Sequence, residues 1–385
     1  MSLNRLLLPR NERIFSKTDR QNYENTTSKG KLTLEQVEQR MALLKPTLSY
    51  EDFDQADLII EAVFETMAVK KEVFAKLDKV AKSGAILASN TSYLSIDEIA
   101  QATSRPAEVF GMHFFSPANV MRLLEIVRGA KTSQDALTTI VELAKRINKV
   151  GVVCSNRDGL IGNRMLGGYL YQALLMVLEG AAPEQVDAAL RNFGMPMGVI
   201  QMSDLAGLDI GYKSRKDRDP KSFDGRVSRS ADLLVEVGRR GQKTQAGYYD
   251  YAPDDRIPRP SPVVQEIIEK VSAEYGIKRR SFNDEEIVER CFLALMNVGC
   301  DVLSEGVAYR ASDIDIDIDI VYLYGYGFPA YRGGPMFWAE HEVGLKTALE
   351  KLKKHSADTG GAWLKVSPLL EKLVAEGKGF ASIGS

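Results

Sequence analysis

The sequence predicts an α/β domain followed by two all-α helical repeats. Three observations predict it. Between residues 30 and 155, short apolar runs alternate with helical spacings, the pattern of a doubly wound, mostly parallel sheet. From Gly159 onward, long apolar helical patterns take over. The helical half then repeats its own landmarks at fixed spacing.

The chain has 385 residues, 44% hydrophobic and 26% charged, an ordinary globular composition with room for two or three domains. A formal net charge of −2 argues against nucleic-acid binding, which favours a basic surface. Cys154, Cys291 and Cys300 form no CxxC pair, so neither a zinc site nor a disulfide framework is suggested. With only His113, His341 and His355, a histidine-rich metal site is not expected either. No uninterrupted apolar run approaches the roughly 20 residues of a membrane span.

Residues 1–29 are polar and somewhat basic, and Glu12, Asp19 and Glu24 spoil an acid-poor transit pattern. They read as an atypical, artificial or truncated start. In residues 30–155, strands are expected at Asp57–Ala62, Ala85–Asn90, Val109–Phe115, Leu123–Val127 and Val150–Cys154. Val69, Val73, Phe74 and Leu77 mark a helix after the first of these, and Ile96–Gln101 a short one before Pro106. Helical units are expected at 156–250 and 283–385, joined by a linker at 251–282 whose first half holds Pro253, Pro258, Pro260 and Pro262.

The repeat is explicit. Ile161-Gly-Asn-Arg164 is followed, 15 residues after its arginine, by Glu179-Gly180; Ile287-Val-Glu-Arg290 is followed at the same distance by Glu305-Gly306. Asp187 and Asp313 each lie seven residues beyond their glycine, and both copies reach Gly-x-Pro, at Gly194–Pro196 and Gly327–Pro329. The alternation of Asp313 to Ile320 suits a strand by itself, but its counterpart Glu184–Asn192 reads as a helix, and a helix is expected.

A dinucleotide site needs a glycine turn opening a helix, whose free N–H groups meet the pyrophosphate. The first glycine is Gly30, so residues 1–29 do not supply that turn. Gly325-Tyr-Gly-Phe-Pro-Ala330 matches GxGxxA formally, but Pro329 and Arg332-Gly-Gly-Pro335 are poor material for a helix start. A tight turn between helices is the better reading.

Candidate chemistry lies elsewhere. His113 ends an expected strand, and Glu125 lies 12 residues on, beyond the turn-like Ser116-Pro-Ala-Asn119. Strand–turn–strand geometry brings the two together. A carboxylate beside an imidazole fixes its tautomer and favours proton uptake, as a general base requires. A satisfied structural histidine fits the pair equally well, although an acid inside Leu-Leu-Glu-Ile-Val needs a partner if buried. Taken alone, Ser92 reads as a turn or helix cap, Asn163 as a cap, and Glu65 and Lys70 as solvated helix charges.

Together these pieces resemble the 3-hydroxyacyl-CoA dehydrogenases, over about residues 30–385. The resemblance is carried by Glu61-Ala-Val-Phe-Glu65, Ser89-Asn-Thr-Ser92, His113-Phe-Phe-Ser-Pro117, Leu124-Glu-Ile126, Ile161-Gly-Asn-Arg164, Phe193–Gly198 and Asp204–Asp209. Gly325–Pro329 and Arg332–Trp338 resemble the extra C-terminal repeat of multifunctional β-oxidation enzymes. The resemblance implies a partial Rossmann-like NAD-binding domain at 30–155 and NAD-dependent oxidation of 3-hydroxyacyl-CoA to 3-oxoacyl-CoA. His113 would be the base, Glu125 its orienter, and Ser92 and Asn163 hydrogen-bonding partners of the substrate oxygens. Ala62, Glu65, Lys70 and Asn90 would face the cofactor. Glu289 stands where the first copy has Asn163, so the second copy would pack rather than catalyse. The partner implied is an acyl-CoA, with the two repeats pairing inside one monomeric chain, in a bacterial cytoplasm or a peroxisome. Two departures stand out: the glycine-turn βαβ unit is missing, and the Asp-Ile run is about four residues longer than the family pattern. The first supports an alternative, a catalytically impaired fragment or acyl-CoA-binding scaffold.

Overall fold

Residues 1–29 hold more order than their polarity suggests. In the computed structural model, strand β1 (Asn4–Leu7) and helix α1 (Glu12–Thr27) precede Gly30, and α2 (Leu34–Met41) leads to β2 (Leu44–Thr47). β1 and β2 run parallel, Asn4 opposite Leu44 through Leu7 opposite Thr47. A capping box at Thr33 and Gln36 starts α2. This corrects the expectation that no strand–helix–strand unit precedes the sheet. A glycine turn is needed for close approach to a phosphate, whereas a parallel crossover needs only enough chain. What residues 1–29 lack is the glycine. The structure describes residues 4–7, 12–216, 224–253, 255–309, 318–359 and 364–383.

The five expected strands form one sheet. β3 (Leu58–Glu61), β4 (Ile86–Ser89), β5 (Val109–Phe114), β6 (Leu123–Arg128) and β7 (Val150–Ser155) lie in the order β3-β4-β5-β6-β7. β3, β4 and β5 are parallel, and β6 returns antiparallel to β5. Every residue of β4 is buried, as its apolar run requires. Helix α3 (Met67–Val80) buries Phe74 and Leu77, and α4 (Ile96–Ala100) buries Ile96 and Ile99. Ser95 and Ser133 cap α4 and α5 (Gln134–Arg146) by accepting from Glu98 N and Ala136 N. Two compact units result: Met1–Phe114 with Leu124–Gly151, and Phe115–Leu123 with Val152–Ser385.

The second unit is helical. Its helices are α6 (Gly162–Leu178), α7 (Pro183–Phe193), α8 (Val199–Ala206), α9 (Leu208–Lys216), α10 (Gly225–Glu236), α11 (Pro262–Glu274), α12 (Asp284–Ser304), α13 (Ile318–Val321), α14 (Pro335–Trp338), α15 (Leu345–Asp358) and α16 (Pro368–Glu376). Among the described residues, no helix is long and apolar enough to cross a membrane. α6 and α12 pack on each other, with Tyr169 and Phe292 stacked at 5.4 Å between centroids. Their charges cross over. Arg164 donates to Glu305, with Nη1 2.7 Å from Oε2, while Arg290 donates to Glu179 at 2.5 Å.

Asp187 on α7 accepts from Ile200 N and Gln201 N at the start of α8, both at 2.9 Å. Asp319 on α13 accepts from Met336 N and Phe337 N at the start of α14, at 2.8 and 3.1 Å. By role, then, Asp319 and not Asp313 matches Asp187, a correction of six positions. The Asp-Ile alternation hides the register, because any of its aspartates satisfies a one-letter match. Asp313 itself, with residues 310–317, lies outside the described residues. From Asp187 to Gly194 is seven residues, but from Asp319 to Gly327 is eight. A π-turn at Tyr322–Tyr326, which holds one residue more than an α-turn, absorbs the difference.

Candidate active site

His113 is the penultimate residue of β5, and Glu125 is its register partner on β6. Directly opposed residues of an antiparallel pair share a face of the sheet, so pairing alone brings the side chains together. Nδ1 of His113 lies 2.7 Å from Glu125 Oε2. The carboxylate is fully buried and the imidazole nearly so. An ionised carboxylate only accepts, so Nδ1 carries the proton and Nε2 is the basic nitrogen. Nε2 faces Ser92 Oγ at 3.0 Å. Ser92 thus does not cap a helix; Ser95, three residues on, caps α4.

Ser92 is held from behind. Its N–H donates to Glu65 Oε1 at 2.9 Å, Tyr93 N donates to the same oxygen at 3.3 Å, and Thr91 Oγ1 donates to it as well. Lys70 Nζ lies 3.3 Å from the other oxygen. Burial raises the Glu65 carboxyl, but the bonds from Thr91 and Ser92 and the Lys70 charge outweigh it, and the group stays below the usual range. Lys70 is fully buried and grips Glu61 at 2.9 and 3.1 Å, where Ser89 Oγ also donates at 2.7 Å. Lys70 is therefore not a solvated helix charge, a second correction, and Glu65, though exposed, is tied to the loop after β4. Helical spacing shows which face a residue occupies, but not that β3 offers a carboxylate to it.

Asn90 lies just beyond β4, and its Oδ1 accepts from Phe114 N at 3.1 Å. Ala62 is exposed just beyond β3. Asn163 belongs to the second unit. It does not cap α6, whose N-cap is Ile161; it lies inside the first turn, and its Oδ1 accepts from Tyr326 Oη at 2.8 Å. Glu61, Ser89, Thr91 and Tyr326 are participants that the sequence reading missed. The first three stand inside the quoted motifs without an assigned role; Tyr326 sits inside the GxGxxA decoy.

Comparison with known proteins fits this geometry. Residues 10–157 match the 3-hydroxyacyl-CoA dehydrogenase NAD-binding domain, and residues 159–251 the C-terminal domain of the same enzymes. The dehydrogenase part of a multifunctional enzyme from C. elegans is 30% identical, with TM-score 0.66, over 94% of this chain and 82% of that one. The chain belongs to the 3-hydroxyacyl-CoA dehydrogenases. A 3-hydroxybutyryl-CoA dehydrogenase from Escherichia coli K12 superposes with TM-score 0.78 at 25% identity, over 97% of this chain and 93% of that one. A peroxisomal bifunctional enzyme from Danio rerio is 46% identical over 89% of this chain. The chain spans 49% of that relative's length.

The matched domains are those of a dehydrogenase family whose first domain binds NAD. The fragment or scaffold alternative is not favoured by a match that covers the NAD-binding domain itself. The residues at the carboxyl ends of β3 and β4 fit the group. Dinucleotides bind beyond such ends in open α/β sheets, and there Ala62, Phe64 and Asn90 follow the two strands, Phe64 being 85% exposed. Glu65 remains partly open to a ribose. Lys70 has no exposed surface and lies behind Glu65. The turn after β1, Leu8-Pro-Arg-Asn11 in sequence, lies outside the described residues.

Proposed function

We propose that this chain oxidises 3-hydroxyacyl-CoA esters to 3-oxoacyl-CoA, with His113 as general base, Glu125 as its orienter and Ser92 and Asn163 as hydrogen-bond donors to the substrate. The observation that carries this reading is the linear chain Ser92 Oγ–His113 Nε2, His113 Nδ1–Glu125 Oε2, at 3.0 and 2.7 Å. Both nitrogens of one imidazole are thereby assigned. Nδ1 donates to a buried carboxylate, which holds the ring and balances the charge it gains. Nε2 points at a hydroxyl, the group it would meet on a 3-hydroxy substrate.

NAD supplies the hydride acceptor. His113 Nε2 takes the hydroxyl proton as the C3 hydride departs, leaving a ketone and an imidazolium paired with Glu125. Ser92 Oγ, a donor as well as an acceptor, turns its proton to the substrate oxygen as negative charge gathers there. Asn163 Oδ1 is occupied by Tyr326, so Nδ2 is the group it offers a substrate oxygen. Ala62, Glu65 and Asn90 border the nicotinamide and ribose side, with Lys70 behind Glu65.

The second unit is read as two related helical repeats, residues 156–250 and 283–385, joined by 251–282. The crossed pairs Arg164–Glu305 and Arg290–Glu179 support this reading, as do the matching roles of Asp187 and Asp319. Pairing between the repeats would let the chain act as a monomer. The Danio rerio relative is named for the peroxisome, and that is where we place this chain, in fatty-acid β-oxidation, in preference to a bacterial cytoplasm.

The test is direct. Acetoacetyl-CoA and NADH are mixed with the chain, and NADH loss is followed. Turnover that depends on both is expected. No turnover together with no NADH binding by titration would overturn the reading.

A further inference from the structure

The GxGxxA decoy does something after all. Gly325-Tyr326-Gly327 closes the π-turn Tyr322–Tyr326, and Tyr326 Oη donates to Asn163 Oδ1 at 2.8 Å. Three features serve this one contact. Gly162 makes room for it: a Cβ there would stand 2.7 Å from a Tyr326 ring carbon and 2.8 Å from its hydroxyl. The matching residue of the second repeat is Val288, which carries the side chain that Gly162 lacks. Tyr322 stacks on Tyr326 at 4.7 Å between centroids, and its own hydroxyl donates to Gly162 O at 3.0 Å. Phe115 meets the Tyr326 ring edge-on at 5.5 Å.

The first repeat lacks the device. The residue before Gly194 is Phe193, without a hydroxyl, and it packs on Phe292 of α12 at 4.5 Å. Tyr326 holds the corresponding place before Gly327. The two ring positions are exchanged between repeats, but only one carries a donor, and only its target is an asparagine.

We infer that Tyr326 is a positioning residue: it fixes the side-chain amide of Asn163 so that Nδ2, and not Oδ1, faces the substrate. A free amide presents either end, and the carbonyl end would repel an oxygen that is becoming an alkoxide or ketone. A phenol donating to Oδ1 removes that alternative before substrate arrives. The repeat read as non-catalytic thus acts on the reaction through Asn163. This inference rests on the substrate role proposed for Asn163.

The experiment is a double-mutant cycle with Tyr326→Phe and Asn163→Ala in the full chain, read by acetoacetyl-CoA titration and by steady-state NADH oxidation. Phenylalanine keeps the ring contacts and removes only the donor. Tyr326→Phe alone should weaken acetoacetyl-CoA binding and lower kcat/KM by about ten-fold, leaving the KM for NADH and the Tm unchanged. On the Asn163→Ala background it should change neither binding nor kcat/KM by more than about two-fold. An equal loss on both backgrounds, or none on either, overturns the inference. Coupled binding without any turnover would instead overturn the proposed reaction and leave the positioning role standing. Additive effects in an active enzyme would do the reverse.

Discussion

The chain holds two histidine–glutamate pairs, and they differ in what else each partner touches. In the first unit, His113 Nδ1 lies 2.7 Å from Glu125, which is sealed inside β6, and Nε2 lies 3.0 Å from the Ser92 hydroxyl. In the second, His355 Nε2 lies 2.6 Å from Glu289, which also accepts from Lys351. Burial raises the Glu289 carboxyl, and the bonds from His355 and Lys351 outweigh it, holding it below the usual range. An imidazole beside a carboxylate is therefore not in itself a base. The two pairs differ in that Glu289 also holds a lysine, whereas the second ring nitrogen of His113 meets an exchangeable hydroxyl.

The largest effect expected from this contrast is on catalysis. His113→Gln should lower kcat by about 10²–10⁴-fold while the fold persists, and stopped-flow or steady-state NADH oxidation measures it. Full activity in the variant would remove His113 from the role of base. Next is the buried lysine. Lys70→Met leaves Glu61 and its neighbours uncompensated and should cost about 3–5 kcal/mol of stability, measured by urea unfolding of the first unit's signal.

Asp204 extends the comparison to a carboxylate whose hydrogen bonds come from neutral donors alone, Tyr248 N, Tyr249 N and Tyr251 Oη. Burial pushes its carboxyl up to about 6. A raised carboxyl binds its proton more tightly in the folded state. Its stabilising contribution is present below the unfolded value, near 4, and is lost as pH rises through about 6. Unfolding free energies of the wild type minus those of Asp204→Asn should fall by up to about 3 kcal/mol between those limits. A flat difference would sink the assignment. The smallest effect completes the contrast: His355→Gln should cost about 1.5–3 kcal/mol by loss of a charge-assisted bond and leave kcat within about two-fold.

The sheet was legible because apolar runs of strand length between turn signals leave few alternatives. The five strands from β3 to β7 match their expected positions within a residue or two at each end. β1 was not legible, because four residues in a polar, basic stretch carry little periodicity. The pair His113–Glu125 was readable from strand–turn–strand spacing. The support behind it was not, because Lys70, Glu61 and Glu65 meet across β3, α3 and the loop after β4, and local sequence does not encode such partners. Tyr326 was named in the sequence only as part of a false cofactor motif. Its meaning depends on a π-turn, and one extra residue in an aromatic stretch gives no periodic signal.

The crossed ion pairs between α6 and α12 carry a further consequence. In an assembly of two identical chains, each substitution is made on both sides of the symmetry axis at once, so neither half can change its task alone. Here Arg164 and Arg290 occupy related places but are specified by separate stretches of one chain. The arginines anchor the same crossed contact twice, while the residue just before each is free to differ. One side keeps the neutral Asn163; the other holds Glu289, neutralised by its own neighbours. In the reading proposed above, covalent linkage keeps the symmetry of the joint and leaves each half open to a task of its own.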